Sequence, residues 1–313
     1  MAVLANFKGA WLPRIPARIR LARPPGRVAV LAWALGIVAL GGTAASSLFG
    51  QTYGASALVV TAPANAASTE LAMSDPRATA LDPARFRRTA PPADGHPRVA
   101  VIVRGLGLSH KVTRAVIADL PADVTLALSA YGRELQQEAD SARADGHEIF
   151  LDVPVEPPGF PANDAGPQAL LSSLSAAENA ERFDWALERF SGFAGVVFAP
   201  GSPAADNAGI VGPLVQDSKT RDLIWAAFEA KGFEGLHALT ATAALVVAPA
   251  STDADVDAAL ERLETIARRD GTALAIISPT PTAITRLKVW AANLEQEGIV
   301  LVPASAVATA PAS

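Results

Sequence analysis

From residue 98 onward, short apolar runs alternate with longer stretches whose apolar positions recur at helical spacing. "RVAVIV" (98–103), "VTLALS" (124–129), "EIFLDV" (148–153), "GVVFAP" (195–200), "AALVVA" (243–248), "ALAIIS" (273–278) and "IVLVPA" (299–304) predict strands, with "GLHA" (235–238) a weaker one. Most are apolar at consecutive positions, the pattern of strands buried on both faces. Helices are predicted around 110–119, 133–145, 176–190, 215–231, 254–269 and 283–297. The third carries its own start signal, because Ser175 and Glu178 have the spacing of a capping box. Phe183, Ala186, Leu187 and Phe190 then follow as an amphipathic stripe. Gly271 and Gly298 stand where C-terminal caps close the last two helices. Doubly buried strands separated by helices give an α/β fold of about seven parallel β/α units. That pattern suits a closed barrel and an open doubly wound sheet equally.

The first 96 residues follow a different rule. No charged residue lies between Arg27 and Glu70, and Val28 to Phe49 has the length of about 20 residues that a helix needs to cross a bilayer. Residues 1–27 contain Lys8, Arg14, Arg18, Arg20, Arg23 and Arg27 and no acid. Positive charge before the span keeps the leader cytoplasmic and sends the remainder across. The expectation is therefore one transmembrane helix over 28–49 in the inner membrane, with the C-terminal domain in the periplasm. A cleaved signal sequence with a cut near Ala44, Ala45 and Ser46 is the rival, and the length of the basic leader favours the uncleaved anchor. Residues 50–96, rich in Ala, Pro, Ser and Thr, read as a disordered linker. The domain then runs from 97 to 306, with a tail over 307–313.

Charge and cysteine narrow the chemistry. Beyond the leader, the other 20 of the 26 basic residues face all 31 acids, a net charge of −11. An acidic body argues against nucleic acid as a partner. The absence of cysteine removes disulfides, thiolate metal sites and thiol nucleophiles together.

In parallel α/β folds the chemistry sits at the C-terminal ends of strands. Those ends present Arg104, then Ser129 and Tyr131, Asp152 and Glu156, Ser202 and Asp206, Ser251, Ser278 and Thr280, and Ser305. Asp152 and Glu156 flank "VPV" in a proline-rich loop, and such a pair can share a proton or hold a divalent cation. The alternative is that Asp152 caps the loop and Glu156 is solvated. The histidines are poorly placed: His96 in the linker, His110 at a helix start, His147 ahead of its strand and His237 beside a doubtful one. Gly105-Leu106-Gly107 lacks the third glycine of a dinucleotide fingerprint, so it reads as a tight turn. Ser202 in "APGSPAAD" has neither a nucleophile elbow nor a histidine placed to serve as its base.

Taken in order, "GLGLS", "LPADVTLALSAYG", "ARADGHE", "VPVEPPGFPANDAGPQALL" and "LSAAEN", with the closing "GIVLVPASAVA", resemble the divergent polysaccharide deacetylases over about 97–306. This is a bacterial-envelope branch of the carbohydrate deacetylase superfamily. The resemblance implies a distorted β/α barrel of about seven parallel strands, acting on or binding a cell-envelope polysaccharide or peptidoglycan-type glycan, with an envelope protein as another partner. It also implies losses. The family's first strand ends in two aspartates, where this chain has Arg104 and Gly105. Ala199 stands at a family histidine before Gly201 and Ser202, and Ser278 stands at another. Metal-dependent deacetylation needs a cation to polarise the amide and activate water. With these ligands replaced, no cofactor is expected, and Arg104, Ser202 and Ser278 become candidate ligand-binding residues; the equal alternative for Arg104 is a structural plug that covers the barrel mouth and pairs with Asp152 or another acid. The competing expectation is an active deacetylase hydrolysing C–N bonds with a divalent metal such as zinc on relocated ligands, for which Asp152, Glu156 and Asp206 are the candidates. A purely structural role in the envelope is a third reading.

Overall fold

The computed structural model describes residues 82–310, apart from positions 93, 221 and 230. The leader, the expected membrane helix and most of the linker lie outside the described residues. The strands are β1 (Arg98–Leu106), β2 (Thr125–Ser129), β3 (Ile149–Val153), β4 (Gly195–Phe198), β5 (Ile224–Phe228), β6 (Leu239–Ala243), β7 (Leu245–Val247), β8 (Thr272–Ile277) and β9 (Val300–Leu301). The helices are α1 (His110–Asp119), α2 (Leu135–Ala144), α3 (Ala176–Leu187), α4 (Ala208–Gln216), α5 (Asp253–Asp270) and α6 (Pro281–Asn293). Eight strands pair in the order β6-β5-β4-β3-β2-β1-β8-β7, and all these pairs are parallel. β6 and β7 are separated only by Ala244, whose amide donates to Leu274 O at 2.8 Å. One extended segment thus leaves β5 and joins β8, nearly closing the sheet into a barrel. That resolves the choice between barrel and open sheet.

Two expectations are corrected. The helix placed over 215–231 ends at Gln216, and "IWAAF" forms β5 instead. Ile224, Trp225, Ala226 and Ala227 are buried at consecutive positions, which only a doubly covered strand can satisfy. The run at 243–248 is divided, its first residue finishing β6 and its centre forming β7. Eight barrel strands therefore replace about seven, and β9 adds a short ninth beside the start of β1. The Ser175–Glu178 capping box is present in full, and Gly271 caps α5 with φ 83°.

Side chains alternate between two cores. Val99, Val101 and Val103 pack outward with the helical residues Val116, Leu135 and Leu260. Ala100 and Ile102 point inward with Ala127, Phe150, Val197 and Ile276. The inner layer is narrow because alanines line it, and Phe150 is its largest plug. Gly195 is glycine for this reason: a Cβ there would stand 2.7 Å from the Phe150 ring and 2.5 Å from Ile224 O.

The barrel base is sealed around Glu148, which is buried. Its Oε1 accepts from Thr125 Oγ1 (3.1 Å) and the Ser305 amide (3.0 Å), and its Oε2 accepts from the Arg88 amide (3.2 Å). Arg88 also pairs with Asp123 at 2.8 Å. Residues 82–88, assigned by the sequence to the linker, thus dock on the base, at the N-terminal ends of the strands.

Burial pushes the Glu148 carboxyl above its ordinary range, against the lowering effect of these donors. A folded-state pKa above the unfolded one means that the native state holds the proton more tightly. Stability from this group is therefore present at acid pH and lost as pH rises through the raised value. Glu148→Gln is expected to cost about 1–3 kcal/mol, because its amide nitrogen would face a backbone donor. That penalty should shrink as pH rises, which urea titrations at about pH 5 and about pH 8 would check. A penalty that grows with pH would contradict the burial argument.

Candidate functional site

The inward alternation runs to the C-terminal ends of β1, β2 and β3 and one residue past the end of β8. It brings Arg104, Ser129, Asp152 and Ser278 to the mouth opposite the sealed base. There, Arg104 Nη2 donates to Asp152 Oδ1 at 2.8 Å and Nε to the same oxygen at 3.2 Å. The Gly105 amide donates to Asp152 Oδ2 at 3.0 Å. The carboxylate side chain is only 5% exposed, whereas Arg104 retains 25%. Burial raises the Asp152 carboxyl, and the Arg104 charge and the Gly105 amide oppose that shift.

Gly105 has φ 79°, a conformation open to glycine, at a register shift between β1 and β2. This irregularity turns the Gly105 amide onto Asp152. Both Asp152 oxygens are therefore engaged. Arg104 spends Nε and Nη2 on this pair, and its side chain stays a quarter exposed to solvent.

Hydrogen bonds hold most of the surrounding candidates. Glu156 lies on the β3–α3 loop, where its carboxylate accepts from the Ser172 amide. Its own amide donates to Leu170 O at 2.7 Å. Tyr131 Oη accepts from the Gln168 amide at 2.9 Å, fastening the same loop, and burial raises its phenol. Ser202 is fully buried and accepts from the Ala205 amide at 3.3 Å, organising the turn into α4. Asp206 is exposed just beyond that turn. Ser278 is half-buried, and its amide donates to Val247 O at 3.1 Å. Of the candidates, Arg104 and Asp152 are the two brought into contact. No three His, Asp or Glu residues among the described residues are assembled closely enough to hold a metal.

One pairing lies outside the sequence expectations. His110, read as an exposed helix start, has Nδ1 3.1 Å from Oε1 of Glu138, which is buried. The partners lie 28 residues apart on α1 and α2, and no sequence spacing signals the contact.

The family profile of the divergent polysaccharide deacetylases matches residues 101–308. The chain belongs to this family. Among solved structures, an uncharacterized protein, ATU2773, from Agrobacterium tumefaciens C58 is 29% identical with a TM-score of 0.67. The match covers 72% of this chain and 94% of that one. A second, described as a putative cellobiose-phosphate cleavage protein (EF3048) from Enterococcus faecalis V583, is 14% identical with a TM-score of 0.51, covering 69% and 100%. It shares the fold. Among curated proteins none matches the chain. Membership of this family goes with the nearly closed parallel barrel, whose mouth Arg104 and Asp152 occupy.

Proposed function

We propose that this member of the divergent polysaccharide deacetylase family is a membrane-anchored periplasmic protein that binds an envelope glycan at its barrel mouth without hydrolysing it. The observation that carries this reading is the Arg104–Asp152–Gly105 arrangement. The family's chemistry calls for a divalent cation held by Asp and His ligands, with an open position for water. Here the strand ends supply arginine, glycine, alanine and serine, and both oxygens of the one buried aspartate are already engaged. A guanidinium among them would repel a cation and cannot ionise a bound water. The residues at the mouth do not fit the metal, and binding there proceeds without one.

What the arrangement suits is an anion. Asp152 fixes the inner edge of Arg104, so the outer edge meets a ligand with little side-chain entropy left to lose. A planar pair of N–H donors matches a carboxylate or phosphate. Peptidoglycan-type glycans carry such groups.

Arg104→Lys keeps the charge and abolishes the two-pronged edge. By calorimetry it is expected to weaken binding of a carboxylate-bearing peptidoglycan fragment by about tenfold or more, with little effect on a neutral analogue. Equal binding of both ligands by wild type and variant would overturn the reading. Release of acetate by wild-type protein would instead establish the active-deacetylase alternative.

A further inference from the structure

We infer that the mouth holds an acidic sugar between two unlike rims, with Phe228 receiving the apolar face of the sugar while Arg104 meets its carboxylate. The inference rests on the glycan-binding reading and narrows the ligand to a pyranoside that carries the anionic group on the sugar itself. In the nearly closed order β6-β5-β4-β3-β2-β1-β8-β7, three strands separate β1 from β5 in either direction. The two strands therefore end on opposite sides of the mouth. The β1 side is polar, with Arg104, Ser129, Asp152 and Ser278. Across from it, β5 sends Ile224, Ala226 and Phe228 inward at every second position. Phe228 stands last in that row, half-buried against the inner core, and Ala243 ends β6 beside it.

The two rims suit different parts of one molecule. A pyranose ring presents C–H bonds on its faces and polar substituents around its edge. Laid flat on an aromatic ring, it buries apolar surface without stranding a hydroxyl. A carboxylate at the ring edge then faces the guanidinium, whose planar donors match it. The interior of an eight-stranded barrel is only wide enough for side chains, so a ligand lies across the mouth and touches both rims. A peptide carboxylate has no such flat face and would use Arg104 alone. The chain beside Phe228 carries an independent mark. Glu229, the next residue, has φ 59°, a left-handed conformation disfavoured for any residue with a Cβ. Its carboxylate pairs with Lys231 Nζ at 2.6 Å, which holds the turn. Backbone kept in such a conformation concentrates at ligand sites, and here it ends β5 directly after the ring.

The test is calorimetric titration of the full-length chain with N-acetylmuramic acid, whose carboxylate is borne by the sugar, with a neutral N-acetylglucosamine disaccharide, and with a free acidic stem peptide. Wild type should bind the sugar acid about tenfold or more tightly than either other probe. Phe228→Ala should weaken the sugar acid by about tenfold and leave the peptide unchanged. Arg104→Lys should weaken both acids. Phe228→Tyr should keep wild-type affinity, whereas Phe228→Leu, which has apolar bulk but no flat ring, should lose most of it. Should Phe228→Ala fail to fold, the tyrosine and leucine variants carry the test. Unchanged affinity for the sugar acid in Phe228→Leu, alongside a loss in Arg104→Lys, would overturn the inference and leave the glycan-binding reading standing. Equal losses for sugar and peptide in Phe228→Ala would also overturn it, because the ring would then only shape the mouth. Failure of wild type to bind any probe would overturn that reading and this inference with it.

Discussion

Replacing Arg104 by alanine is expected to destabilise the fold by about 3–5 kcal/mol, the cost of leaving a buried carboxylate without its counter-charge. Asp152 is 5% exposed and sits directly above the inner core, so water reaches it poorly. The single remaining donor, the Gly105 amide at 3.0 Å, satisfies one oxygen. The reverse change, Asp152→Asn, should cost less, because Arg104 is a quarter exposed and can turn its charge to solvent. Combining the two should recover much of the Arg104→Ala loss, since the asparagine carries no charge to strand. Denaturant unfolding of the two single variants and the double variant forms a cycle that isolates the pair's coupling. Additive losses would mean that the ion pair does not organise the mouth.

The second large effect is expected at Phe150. Its ring is fully buried, fills the alanine-lined interior and lies against Gly195. Phe150→Ala should cost about 3–5 kcal/mol, from lost transfer free energy plus a cavity that a closed sheet cannot collapse. Because Asp152 is two residues along the same strand, the variant should also loosen the mouth. Ligand affinity should therefore fall together with stability. Phe150→Leu should cost less and largely keep affinity, since most of the volume is retained. Thermal unfolding of the pair would reveal a loosely packed interior if both variants behaved alike.

The parts of the fold legible in the sequence are those governed by local rules. The capping box at Ser175 and Glu178, the cap at Gly271 and the doubly buried runs of β1, β2, β3 and β8 all rest on neighbours within a few residues. β5 escapes such rules because "DLIWAAFEA" offers helix-compatible alanines, and its burial arises from tertiary packing, with Trp225 and Ala227 in the outer core and Ile224 and Ala226 in the inner one. Barrel closure is not legible, since it depends on one strand changing partners at Ala244. In the site, the position of Arg104 at a strand end can be read directly. Its partner cannot be fixed from sequence: a short loop joins Asp152 to Glu156, but the contact is made across β1–β2–β3 instead. Ser202 looks available from its loop composition and proves to be buried by the turn it stabilises. The His110–Glu138 contact joins two helix ends that only the barrel brings together.

The most direct measurement is the metal content of the full-length chain. After dialysis against zinc, manganese and nickel in turn, elemental analysis should find no stoichiometric metal, because Arg104 already neutralises the buried carboxylate at the mouth. One tightly held equivalent that disappears on adding Asp152→Asn would contradict that assignment and restore the mouth as a metal centre.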